Sequence, residues 1–148
     1  MNREGEEEEE GLDSSIVVYA MDPTTDEHAA STEAILALQG GWAVNPTVIH
    51  EVYHTLVFKR KMPPADARSK LGTLIKDRRT RFLNTTKTVT SFSLELAAES
   101  GMGGRDALIV GSFLHGGIGQ MLTHDGDLLR RSALRFRGRE IAFSDPLA

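Results

Sequence analysis

Short apolar or β-branched runs alternate along this chain with longer segments of helical period, and glycine or proline marks nearly every junction between them. Ile16 to Met21 gives way to Asp22-Pro23. Glu27 to Leu38 then spaces Ala30, Ala34, Ile35 and Leu38 as a helix face and closes on Gly40-Gly41. "WAV" predicts a short strand, Thr47 to Phe58 an amphipathic helix entered after Pro46, and Pro63-Pro64 the start of a basic helix running to about Arg79. "KTVT" reads as a further strand, and Ser91 to Ser100 and Arg105 to Leu114 as two helices. "GQMLT" and "EIAFS" read as the last strands, with a helical turn at Leu128 and Leu129 between them. Strands alternating with helices define an α/β domain on a mainly parallel sheet, and such sheets bind ligands beyond the carboxyl ends of their strands.

With 148 residues the chain is one domain's worth and can bury a full core. No cysteine is present, which removes disulfides, thiolate zinc sites and a cysteine nucleophile together. The longest uninterrupted apolar run is far too short to span a bilayer, and no basic-then-apolar leader opens the sequence, so the expectation is a cytoplasmic protein without a membrane role. Residues 1–10 are an acidic segment, expected to be a solvated tail or an aberrant first strand, and the domain itself is expected over 11–148. Beyond that segment sixteen basic residues face fifteen acidic ones, but nine of the basic ones fall between Lys59 and Arg81. Such a cluster is either a solvated helix face or a grip for a phosphate backbone; Lys59, Arg60, Lys61, Arg78, Arg79 and Arg81 are the candidates for that grip.

Four acids stand at the junctions of the predicted elements. Asp13 lies at a strand-to-helix junction, Glu51 early in the amphipathic helix, Asp106 at the head of the apolar "DALIVGSFL", and Asp125 directly after "MLTH". A carboxylate near a helix start also stabilises the macrodipole, which alone explains any one of them. It does not explain four at separated junctions, each able to reach the same end of a sheet.

These stretches resemble the PIN-domain nucleases, specifically the VapC-type toxin ribonucleases of toxin–antitoxin pairs. The resemblance runs from about Leu12 to Ser144: "LDSSIVVYAMD" is similar to the family's opening aspartate box, "DEHAASTEAI" to the helix that follows, and "VNPTVIHEV" to the helix carrying a glutamate. "RDALIVGSFLHGG" and "MLTHDGDLL" are similar to its two later aspartate boxes. The resemblance implies a central, mainly parallel sheet of four to five strands flanked by helices. It implies a pocket in which Asp13, Glu51, Asp106 and Asp125 hold one or two Mg²⁺ or Mn²⁺ ions, an RNA substrate, a homodimer and a cognate antitoxin. Hard divalent ions prefer carboxylate oxygens, and they neutralise like charges that could not otherwise all stay ionised. Ser14 and Thr123, each beside a proposed ligand, are candidate supporting hydroxyls; Asp127 is either a fifth acid or the cap of the turn after it.

Residues 50 to 54, "HEVYH", also match the zinc-protease pattern, in which His50 and His54 would bind metal and Glu51 would act as base. On a helix Val48, Ile49, Val52, Tyr53, Leu56 and Val57 form the buried stripe, leaving Thr47, His50, Glu51 and His54 on the polar side. No third zinc ligand follows His54 at the expected distance, and the protease reading leaves Asp13, Asp106 and Asp125 without roles. It stands as an alternative, as does a non-catalytic RNA-binding module of the same fold.

Two places depart from the family. Where its first strand is apolar this chain has "EEEEGL", and buried glutamates in a central strand would be prohibitive, so the strand is expected to shrink to little more than Gly11-Leu12. Ile16 to Tyr19 has strand propensity, yet a strand there would put Asp13 at its wrong end, so a helix is expected.

Overall fold

A computed structural model describes residues 8–148. Most of the acidic segment thus lies outside the described residues; within them Glu8 is exposed, while Glu9 and Glu10 are half-buried. The first strand, β1, is Glu10–Leu12, as short as the glutamates require. Ile16 to Tyr19 falls inside helix α1, Ser14–Met21, and α2 follows at His28–Leu36. Strand β2 is Trp42–Val44, and α3, Pro46–His54, runs on into a π-helical stretch, Thr55–Lys59. Helix α4 is Pro64–Lys76 and strand β3 is Thr80–Phe82. Two helices, α5 at Lys87–Ser100 and α6 at Gly104–His115, precede β4, Gln120–Leu122. A short α7, Gly126–Arg131, leads into the hairpin of β5, Ala133–Phe136, and β6, Arg139–Ser144.

The strands form one sheet in the order β3-β2-β1-β4-β6-β5, parallel except for β5. The chain steps outward from β1 through β2 to β3, then returns to place β4 on the other side of β1. That reversal opens a crevice at the carboxyl ends of β1 and β4, where sheets of this kind take ligands. Gly11 sits at the centre of the arrangement, opposite Ala43 on one side and Met121 on the other. The core around it is apolar, with Leu12, Val44, Phe113, Met121 and Ile141 essentially inaccessible to solvent.

The sheet has six strands, against an expected four to five. "KTVT" is not a strand: Thr86 accepts from the backbone N–H of Val89 and caps α5, and Val89, Ser93 and Leu96 form its buried side. Packing against that face overrides the β propensity of three β-branched residues. The strand it was expected to supply comes earlier, as β3, where alternating burial is masked by basic residues. The β5 strand was missed because its hairpin turn, Arg137-Gly138, lacks the usual turn dipeptide, although both residues adopt the positive φ such a turn needs.

Candidate active site

The four acids arrive at the crevice from four separate segments. Asp13 directly follows β1 as the N-cap of α1, and its backbone N–H donates to Leu122 O at 2.9 Å, continuing the β1–β4 pairing. Its side chain accepts from Ser14 N at 2.8 Å and from Thr123 Oγ1 at 2.7 Å. Thr123 is fully buried and its oxygen also accepts from Asp125 N at 3.0 Å, so one hydroxyl bridges the acids that follow β1 and β4. Asp125 in turn caps α7 by accepting from Asp127 N at 2.8 Å.

Glu51 projects from the polar side of α3, whose opposite side buries Val48, Ile49 and Val52. Asn45 fixes that helix. It is fully buried, accepts from Val48 N at 3.0 Å as the N-cap, and donates to Ile109 O of α6 at 3.4 Å. The helices bearing Glu51 and Asp106 are thereby tied together. Sequence reasoning missed Asn45; the signal was an Asn-Pro pair at a strand-to-helix junction, an N-cap followed by Pro at N1. Ser14 Oγ donates to Glu51 Oε1 in a very short hydrogen bond.

Asp13, Glu51, Asp106 and Asp125 line one cavity of about 270 Å³, together with Ser14, Arg105 and His124. Burial raises the carboxyl pKa of Asp13 above its usual value; hydrogen bonds from Thr123 and Ser14 pull it back, and the charges of Glu51 and Asp125 push it up again. Asp106 is raised first by burial, then by Asp125, with Arg105 opposing. The mutual repulsion of these groups is what a shared anionic site produces. Asp127 stays outside the cavity, 80% exposed in an ion pair with Arg130.

Arg105 was not anticipated. Its Nε lies 2.5 Å from Glu51 Oε2, a buried oxygen with no aligned hydrogen bond, so the two groups are held by charge. Its signal was position alone, as the basic residue directly preceding Asp106. As the side chains stand, no three His, Asp or Glu groups among the described residues form a ready metal-ligand set. The donors nonetheless suit a hard divalent ion: all four are carboxylates, burial and neighbouring charges raise the pKa of Asp13 and Asp106, and Glu51 Oε2 is buried with only a charge contact.

A larger cavity of about 610 Å³ adjoins the first and shares Ser14, Glu51 and Arg105 with it. His50, His54, Lys59 and Arg60 line its other parts. The π turn, closed by Arg60 N–H on Thr55 O at 2.9 Å, winds more slowly than an α turn and keeps Thr55 and Lys59 on the side of Glu51. His54 packs on Phe58 with ring centroids 5.0 Å apart. Arg60 is committed to Asp22, its Nε 2.7 Å from the carboxylate. Arg78 and Arg79 precede β3 and so lie at the amino ends of the strands, away from the acids; Arg79 pairs with Asp77 and covers the Trp42 ring at 4.7 Å. Arg81, within β3, and Lys61, just past the π turn, are exposed and line neither cavity.

The fold and its acidic crevice define the class. A PIN-domain family model matches residues 12–134, and the chain belongs to that family. The match spans "HEVYH", so that motif is part of the glutamate-bearing helix of this domain. The fold is that of toxins from toxin–antitoxin pairs. The VapC20 toxin of Mycobacterium tuberculosis, described as cleaving the sarcin-ricin loop, superposes with a TM-score of 0.69 at 15% identity, over 82% of this chain and 93% of that one. VapBC2 of Rickettsia felis, bound to promoter DNA, gives 0.62 at 18% identity over 91% and 96%. A toxin–antitoxin complex of Klebsiella pneumoniae gives 0.61 at 16% identity over 78% and 86%. No curated protein matches the sequence. No helix among the described residues is long and apolar enough to cross a membrane.

Proposed function

We propose that this chain is an endoribonuclease, the toxin of a toxin–antitoxin pair, that hydrolyses RNA phosphodiesters at the cavity of Asp13, Glu51, Asp106 and Asp125. The observation that carries the reading is the meeting of four carboxylates from four distant segments at the crevice between β1 and β4, in a PIN-domain chain. These carboxylates would hold one or two divalent cations, Mg²⁺ or Mn²⁺. Such an ion, when bound, acidifies a water and neutralises charge developing on the phosphate. Ser14 keeps Glu51 turned into the cavity, and Thr123 holds Asp13 and Asp125 in fixed relation. Lys59, with Arg60 beside it, lends positive charge to the larger cavity along which an RNA backbone would lie, and Lys61 is exposed nearby in sequence. A cognate antitoxin, a homodimeric state and a cytoplasmic setting complete the proposal; the structural neighbours that are toxin–antitoxin complexes support the first of these.

The test is RNA cleavage by the purified chain with Mg²⁺ or Mn²⁺ and after chelation, alongside Asp13→Ala, Glu51→Ala and Asp106→Ala. Each substitution should abolish metal-dependent cleavage while the protein stays folded. Full activity in Asp106→Ala would refute the four-acid site. RNA binding without cleavage or metal uptake in the unaltered protein would make it a passive RNA-binding module.

A further inference from the structure

We propose that Arg105 is a positioning residue of the acidic cavity: a counter-ion that occupies Glu51 in the free protein, competes there with a divalent cation, and is drawn off by the phosphodiester of the substrate. The proposal rests on the nuclease reading above. Its geometric basis is the asymmetry of the Arg105–Glu51 pair. The arginine side chain is 73% exposed, the glutamate only 19%, so the cation is the partner free to move. Glu51 is fixed from its other side, because Ser14 donates to Oε1, and Oε2 is left as the oxygen able to exchange partners. That oxygen is buried and faces Arg105 without an aligned hydrogen bond, so little directional bonding is lost when the guanidinium leaves.

Arg105 also stands where the exchange would occur, since its side chain lines both the acidic cavity and the larger one beside it. An RNA strand entering past Lys59 brings a phosphate to that boundary. Guanidinium groups match phosphate oxygens in pairs, which a single unaligned contact to a carboxylate does not. In the free protein Arg105 offsets the repulsion acting on Asp106. A divalent cation at Glu51 Oε2 repels the guanidinium held against the same oxygen, so metal and arginine compete there until phosphate draws the arginine off. Substrate and metal then assist each other through a single side chain.

Manganese titration of the full chain by calorimetry, read in parallel by electron paramagnetic resonance of Mn²⁺, tests this in the unaltered protein, Arg105→Ala and Arg105→Gln. Because the arginine is exposed and screened, both variants should bind Mn²⁺ only about three- to tenfold more tightly than the unaltered chain. A short phosphorothioate oligoribonucleotide should tighten Mn²⁺ binding to the unaltered chain and leave Arg105→Ala unchanged, whereas an uncharged methylphosphonate oligomer should leave both proteins unchanged. Equal or weaker Mn²⁺ affinity in both variants would overturn the role of Arg105 and leave the four-acid site standing. Absence of Mn²⁺ binding in all three proteins would overturn both.

Discussion

Replacing Gly11 with alanine tests how β1 places Asp13. Gly11 lies in mid-sheet, and a Cβ added to it would meet Phe113 Cδ2 at 2.8 Å and two further ring atoms at 3.0 Å. Phe113 is fully buried on α6, the helix that begins beside Asp106, and its rigid ring has no open space to enter. Overpacking of this kind costs about 1–3 kcal/mol. The alanine also restricts the unfolded chain, which returns about 0.4–1 kcal/mol. The contact wins, leaving a net loss of about 1–2 kcal/mol, or roughly 2–8 °C in Tm for a chain of this size. Phe113→Leu removes the obstructing ring edge and by itself loses about 1–2 kcal/mol of packing. The double variant should therefore be more stable than the sum of the single losses by about 0.5 kcal/mol or more. Thermal and urea unfolding of the four proteins measure the cycle. A Gly11→Ala protein that melts with the unaltered chain, or strictly additive losses, would refute the packing argument.

Two further outcomes follow from charges outside the acidic cavity. Asp22 is buried; burial pushes its carboxyl up, but hydrogen bonds from Thr24 and the Arg60 guanidinium outweigh that and hold its pKa at about 2. A depressed pKa stabilises the fold above the unfolded value near 4 and loses that effect as pH falls toward 2, so Asp22→Asn should lower stability by about 1–2 kcal/mol at pH 7, with the gap closing below pH 4. A gap independent of pH in urea unfolding would contradict this. For RNA binding, Lys59→Ala should reduce the slope of log affinity against log salt by about 0.7, the value for one single-strand phosphate contact. Arg79→Ala should leave the slope unchanged because Arg79 is engaged by Asp77 and Trp42 at the far end of the strands; an equal fall in both variants would reverse that assignment.

Much of this architecture was legible because the helices are punctuated. Pro46, Pro63-Pro64 and Gly101 each mark a boundary for a reason local to the backbone, and α3, α4 and α5 start or stop there. The polar side of α3 was legible too, since its period separates Val48 and Val52 from His50, Glu51 and His54. Two of the misread segments share one cause. "KTVT" and "TRF" are short, and in short segments the partner surface rather than propensity decides between helix and strand. Charge counts, too, do not reveal pairing: Arg60 and Arg79 are each held by a nearby aspartate. Arg105 escaped notice because its meaning depends on Glu51, which is far away in sequence and adjacent only through the packing of α3 near α6.

The structure also shows why the first strand tolerates so unusual a sequence. A central strand needs apolar side chains only along the length that neighbours cover, and β1 is covered only briefly, with Leu12 buried and Gly11 packed under the ring of Phe113. Beyond Gly11 the chain reaches the amino end of the sheet, where Glu10 is half-buried and Glu8 exposed. What must be exact is the other end. There the Asp13 backbone pairs with Leu122 and its side chain with Thr123, bonds that depend on β4 rather than on the length of β1. The acid is held by its neighbour across the switch point, so shortening the strand behind it leaves the carboxylate anchored. The same bonds restrain a group that burial and two nearby carboxylates push toward protonation. A fold that retains Asp13 there gives up stability at neutral pH in the free protein, a cost that a cation held in the cavity, as proposed above, would relieve.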